Sequence, residues 1–195
     1  MGTGLIARYV YDFLLDTGWA IEEVRLYDKS PLESEKFRST ACRPERHRSV
    51  TVVPDVAQLL RASDLIVFTT VASAPHIADA ALFEHNPVVL HISLRDLAPE
   101  ILLRSQNVVD DVEHVMKANT SPHLTEQLSG NRNFVTGTLA EILQGQKSVN
   151  RSRPIIFSPF GMGVLDVAVG KWVYDQAVAR GEDRRISDFF YETVR

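Results

Sequence analysis

The sequence predicts an α/β chain built on a doubly wound parallel sheet, and three observations carry that expectation. Apolar, β-branched runs alternate with stretches of helical periodicity along nearly all 195 residues, the pattern of strands joined by crossover helices. The chain opens on Met1-Gly2-Thr3-Gly4-Leu5-Ile6-Ala7, where Gly2, Gly4 and Ala7 fit G-x-G-x-x-G/A. About 20 residues further on, where such a motif wants an acid at the end of a second strand, stands Val24-Arg25-Leu26-Tyr27-Asp28. Together these are the fingerprint of a Rossmann-type dinucleotide-binding unit. Gly2 makes the tight turn, Gly4 lets a pyrophosphate approach the backbone, and Ala7 lets the helix lie close on the sheet. The phosphates then meet free N–H groups at the helix N-terminus.

The fingerprint also asks for a strand immediately before it, and only Met1 precedes Gly2. In the order 3-2-1-4-5-6 that strand is central. A Rossmann-type sheet lacking its first strand is therefore expected, with the loop from Gly2 to Ile6 hanging from a free terminus. On that reading the chain alone is an inactive fragment.

The elements follow in order. Residues 5–15 place Leu5, Ile6, Tyr9, Val10, Phe13 and Leu14 at helical spacing, with Gly18 as a stop signal. Residues 24–28 read as a strand, 31–42 as a charged helix, 49–53 as a third strand and 54–62 as a helix. The run 65–71 is continuously apolar and β-branched, the mark of a strand buried on both faces. A short helix is expected at 77–83, a buried strand at 87–94, a helix at 99–104 and a strand at 107–110. Helix in two pieces is expected over 112–128, a short helix at 138–143, a loop at 145–153 and a last strand at 154–157. A long C-terminal helix, 162–180, precedes an aromatic tail at 186–191. One NAD-binding domain spanning 1–195 is the economical reading.

Composition narrows the classes. The net charge of −4 and the absence of a basic run argue against nucleic acid as partner. The single cysteine, Cys42, excludes an internal disulfide and a cysteine-rich zinc site and fits a reducing cytoplasm. No apolar run approaches the roughly 18 residues of a membrane span. His114 and His123 lack metal-ligand spacing, so no metal is expected.

Residues 157–166, Phe157-Ser158-Pro159-Phe160-Gly161-Met162-Gly163-Val164-Leu165-Asp166, resemble the last strand and helix of the ornithine cyclodeaminase/mu-crystallin family. Ser93-Leu94-Arg95-Asp96, residues 109–115, Thr120-Ser121-Pro122-His123-Leu124 and Asp188-Phe189-Phe190-Tyr191 resemble one branch of it. That branch comprises NAD-dependent enzymes making 2,3-diaminopropionate for siderophores and peptide antibiotics. The resemblance implies oxidation of N-(2-amino-2-carboxyethyl)-L-glutamate with NAD, then hydrolysis to 2-oxoglutarate and 2,3-diaminopropionate. It also implies an N-terminal substrate and dimerisation domain that this sequence does not contain, and a homodimer for the full-length form.

For single residues, spacing and resemblance combine. Asp28 stands where an acid bonds the adenine-ribose hydroxyls and repels a 2′-phosphate, favouring NAD over NADP; Lys29 beside it softens that preference. The competing reading of Asp28 is a turn aspartate. The resemblance adds Gly2, Thr3, Gly4, Leu5 and Ile6 over the pyrophosphate and further cofactor contacts at Thr70, Ser93, Leu94 and Arg95. It puts Ser158 at the nicotinamide carboxamide and Pro159 at the amino-acid substrate. Asp96 matches the aspartate that orients water and moves protons at the reacting carbon. Removing hydride from a carbon bearing nitrogen leaves a cation, which a carboxylate stabilises. The plainer readings are a strand end for Thr70, a helix cap for Asp96 and a helix-start serine for Ser158. Arg95 replaces a glycine of the cyclodeaminases, which argues against ornithine. Three functions stay open: the dehydrogenase, a cyclodeaminating or imine-reducing enzyme, and a dinucleotide-binding module without catalysis.

Overall fold

Every strand of the structure, a computed structural model that describes residues 1–186, runs parallel to its neighbours. The chain divides into two units, Met1–Phe160 and Gly161–Arg195. In the first, α1 (Leu5–Asp16), β1 (Glu23–Leu26), α2 (Pro31–Thr40), β2 (Ser49–Val52) and α3 (Val56–Arg61) precede β3 (Leu65–Phe68) and β4 (Val88–His91). Then come α4 (Pro99–Leu103), β5 (Gln106–Val109), α5 (Val112–Val115), α6 (Ser121–Ser129), β6 (Val135–Thr138), α7 (Leu139–Leu143) and β7 (Ile155–Ser158). The second unit holds α8 (Gly163–Arg180), closed by Gly181 at φ 66°. The expected aromatic tail beyond Ile186 lies outside the described residues. Among the described residues no helix is long and apolar enough to cross a membrane.

Strands β1 and β2 form a two-stranded sheet, while the other five run in the order β3-β4-β7-β5-β6. The last strand thus inserts between β4 and β5 and sets Phe157 beside Leu90. Ile66, Phe68, Val89 and Ile156 pack against Leu60, Phe83, Leu97, Ile101 and Leu102 to form the main core. A second core under β1 joins Tyr11, Leu15, Leu26, Phe37 and Ala41.

Among the described residues no strand stands between β1 and β3. A slot of about 770 Å³ runs there, flanked by Val24 and Leu26 on one side and Leu65 and Val67 on the other. One residue occupies its carboxyl end as a strand would. The Met1 nitrogen donates to the Val67 carbonyl (2.7 Å), and the Met1 carbonyl accepts from Thr69 N–H (2.9 Å). Gly2 N–H donates across to the Tyr27 carbonyl (2.9 Å). The expectation of a loop hanging from a free terminus is therefore corrected, because three main-chain bonds tie Met1 and Gly2 to both sheet edges. Gly2 has φ +78°, and a Cβ there would lie 2.7 Å from the Thr69 carbonyl oxygen, so both conformation and space require glycine.

Two local expectations also change. The helix expected at 77–83 is a 3₁₀ turn over Ala80–Phe83, whose start Asp79 caps by accepting from Ala81 N–H. Strand β6 was not expected. It has four residues with Gly137 inside, and a built Cβ on Gly137 would come 3.0 Å from Lys147 Cγ. Such a segment carries no apolar run for a periodicity reading to find.

Candidate active site

At the carboxyl ends of β1 and β3, where open α/β sheets bind ligands, lies a cavity of about 200 Å³. Its walls are Gly2, Thr3 and Gly4, then Asp28 and Lys29 after β1, and Thr70, Val71 and His76 after β3. Gly4 has φ −80°, and a Cβ built on it meets nothing within 4 Å, so its backbone faces open space. Helix α1 starts beside it with no side-chain cap and no acid in its first turn. The first-turn N–H groups and the positive end of the helix dipole are left for an anion.

Asp28 ties the two turns at this end together. Its Oδ2 accepts from Thr3 N–H (2.9 Å) and the Thr3 hydroxyl (3.0 Å), and its Oδ1 accepts from Ser30 N–H (3.1 Å). Burial would raise the Asp28 pKa, but the donors from Ser30 and Thr3 outweigh it and lower it, so the carboxylate is ionised.

Behind Thr70 sits a carboxylate ringed by two hydroxyls and two imidazoles, and the Asp96 N–H donates to His91 Nε2 (3.2 Å). Asp96 is wholly buried. Its Oδ1 accepts from the Thr70 hydroxyl and lies 3.1 Å from His76 Nε2. Its Oδ2 accepts from the Ser93 hydroxyl and lies 3.3 Å from His91 Nε2. Burial works to raise its pKa, yet the bonds from His91, Ser93 and Thr70 prevail and hold it well below the usual carboxylate range. His91 is equally buried, at the end of β4, and burial lowers its pKa despite Asp96. Its Nδ1 lies 3.4 Å from Ser158 Oγ, a meeting that follows from the insertion of β7 beside β4. The loop before Asp96 is strained: Leu94 is a buried leucine at φ 67° whose carbonyl accepts from Ser121 N–H (2.7 Å). Such backbone persists only where surrounding contacts over-determine it.

The model of the ornithine cyclodeaminase/mu-crystallin family matches residues 1–181. The chain belongs to that family. Alanine dehydrogenase of Archaeoglobus fulgidus is 29% identical over 176 residues, 87% of this chain and 53% of that protein. The solved structure of an archaeal alanine dehydrogenase dimer with bound NAD has a TM-score of 0.80 and 27% identity, covering 96% of this chain and 59% of that one. The crystal structure of CmnK has a TM-score of 0.79 and 31% identity, covering 92% and 54%. This family chain spans about half the length of the curated relatives it matches.

Of the residues singled out from the sequence, Gly2, Thr3, Gly4, Asp28, Lys29 and Thr70 share one cavity. Leu5 and Ile6 open α1 with exposed side chains. Ser93 and Asp96 join through Thr70, one layer behind the cavity wall. Arg95 turns away, its Nε donating to the Ala118 carbonyl (3.1 Å). Ser158 faces His91 in the interior and Pro159 is half-buried just past β7. His76 and His91 were not singled out. One signal for His91 existed, a lone imidazole in the otherwise apolar run of β4.

Proposed function

We propose that this chain is the dinucleotide-binding part of an NAD-dependent oxidoreductase that acts on the carbon–nitrogen bond of a small amino or imino acid. The observation that carries it is the single cavity where the open backbone face of Gly4, the uncapped start of α1 and ionised Asp28 meet. A pyrophosphate fits the first two and a ribose diol fits the third. Gly2, Thr3, Gly4, Leu5 and Ile6 would hold the pyrophosphate, Asp28 the adenine ribose, and Thr70 with Ser158 the nicotinamide end. When bound, NAD supplies a two-electron hydride acceptor. The family membership and the NAD-bound alanine dehydrogenase neighbour support the same reading.

The finer proposal is oxidative cleavage of N-(2-amino-2-carboxyethyl)-L-glutamate to 2,3-diaminopropionate and 2-oxoglutarate. Its support is the wording of Ser93-Leu94-Arg95-Asp96 and of residues 157–166. Similarity to an alanine dehydrogenase favours a second reading, amino-acid dehydrogenation. The full-length form is proposed to be a homodimer; the archaeal alanine dehydrogenase neighbour is a dimer.

The test has two parts. Calorimetric titration of residues 1–195 with NAD and NADP should show NAD bound more tightly. A form extended to the length of the relatives should then produce NADH from N-(2-amino-2-carboxyethyl)-L-glutamate and not from L-alanine or L-ornithine. NADH from L-alanine alone would replace the finer proposal with the second reading. Absence of dinucleotide binding in both forms would remove the functional reading altogether.

A further inference from the structure

Asp96 is wholly buried, and both its oxygens already accept hydrogen bonds. A carboxylate so placed can stabilise charge, but no substrate proton can reach it without first displacing a donor. One of those donors does reach the cavity. His76 lines it together with Gly4 and Thr70, and 32% of its side chain is exposed. Three main-chain contacts fix the ring's position: His76 N–H and Ile77 N–H both donate to the Asp96 carbonyl (3.0 and 2.9 Å), and Ala98 N–H donates to the Ile77 carbonyl (2.8 Å). The ring therefore stands over Asp96 because the two loops are laced together there.

The protonation follows from the partners. An ionised carboxylate only accepts, so His76 Nε2, 3.1 Å from Asp96 Oδ1, carries the ring proton and donates it. Nδ1 then holds a lone pair, and among the described residues nothing bonds it. An imidazole with one nitrogen bonded to a buried carboxylate, the other without a partner among the described residues, and a ring that lines a cavity has the arrangement of a general base.

We propose that His76 is the proton-transfer group of this site and that Asp96 is its positioning partner. The proposal rests on the oxidoreductase reading above. Starting from a substrate iminium, water oxygen bonds to the carbon as the C=N π pair moves onto nitrogen, while one of the water O–H bonds breaks and its proton goes to His76 Nδ1. The imidazolium, paired with Asp96, gives that proton to the substrate nitrogen. The carbon–nitrogen bond then breaks with its electron pair on nitrogen, the oxygen forms C=O, and its remaining proton passes to His76 and on to solvent. The titratable groups around His76 are Asp96 and His91 behind it and the Met1 nitrogen, Asp28 and Lys29 in the walls of the cavity.

The experiment reads the ring directly and then its consequence. In residues 1–195, the nitrogen shifts of His76 are assigned by comparison with His76→Gln. The proton is expected on Nε2 in the wild type, with that preference lost in Asp96→Asn. In the extended form, His76→Gln should lower kcat by about 10²–10⁴-fold. NAD affinity should stay within a few-fold. A proton on Nδ1 in the wild type, or kcat within a few-fold in His76→Gln, overturns the proposal. If no dinucleotide binds at all, the oxidoreductase reading fails and the ring shifts alone decide the His76–Asp96 pairing.

Discussion

Thr3 donates twice to one oxygen of Asp28, through its N–H at 2.9 Å and through its hydroxyl. The residue proposed to read the ribose is thus also the residue that braces the glycine loop. Asp28→Ala is expected to act on both. A hydrogen bond to a charged group contributes about 1.5–3 kcal/mol, so NAD affinity should fall by roughly 10- to 100-fold. Affinity for NADP should fall less, because a repulsion is removed at the same time. Parallel titrations check this; an unchanged ratio of the two affinities would show that Asp28 is only a brace.

Gly2 and Gly4 should fail in different ways. Gly2→Ala puts a Cβ into the Thr69 carbonyl at positive φ. Strain of about 1–3 kcal/mol is expected, read as a lower Tm at roughly 2–4 °C per kcal/mol. Gly4→Ala meets open space at φ −80° and should leave Tm unchanged while reducing NAD binding. Equal Tm values with equal NAD binding in the two variants would contradict the assignment of duties.

Acid should destabilise the molecule in two stages. His91 has a lowered folded pKa, so the unfolded chain binds the extra proton. Its contribution is complete above the unfolded histidine value of about 6.5 and is lost as pH falls below it. Asp96 also has a lowered folded pKa, so its contribution is present above the unfolded aspartate value of about 3.9 and is lost at lower pH. Thermal melts from pH 8 to 4 should show the first stage in wild type and a flatter curve in His91→Asn. An unaltered slope between pH 7 and 5 in that variant would assign the stage to other groups.

Hydrogen exchange should distinguish the two sides of each strand that borders the slot. In a parallel ladder alternate residues face opposite neighbours. The amides of Ile66 and Phe68 face β4, whereas those of Arg25 and Val67 face the slot. Arg25 and Val67 amides are expected to exchange faster than Ile66 and Phe68 by orders of magnitude. Slow exchange at Arg25 would mean that the edge is covered.

The parts of the fold written in local sequence were legible as such. Leu65–Phe68 announces a strand, although only Ile66 and Phe68 are buried while Leu65 and Val67 stay half-buried at the slot, and Pro31 and Pro99 start the helices α2 and α4 at their first positions. The glycine spacing and Asp28 located the cavity for the same reason: the turn chemistry lies within one βα unit. The environment of Asp96 was not legible. Its polar neighbours come from residues 70, 76, 91 and 93, and only the crossover topology brings these segments to one point. Ser158 illustrates the same limit. The insertion of β7 beside β4 sets its hydroxyl 3.4 Å from His91 Nδ1, a neighbour that no local spacing reveals.

Met1 gives the slot a thermodynamic meaning. Its nitrogen and carbonyl are fixed by β3, and Gly2 by the residue after β1, so the same few bonds complete the sheet edge and shape the phosphate loop. Any extended segment seated in the slot would hold Met1 more firmly and so lower the ordering cost of the loop. On the proposed function, occupancy of the slot and capture of a dinucleotide are therefore linked, and linkage is reciprocal. The dinucleotide must tighten the sheet by the same factor by which the sheet tightens the dinucleotide.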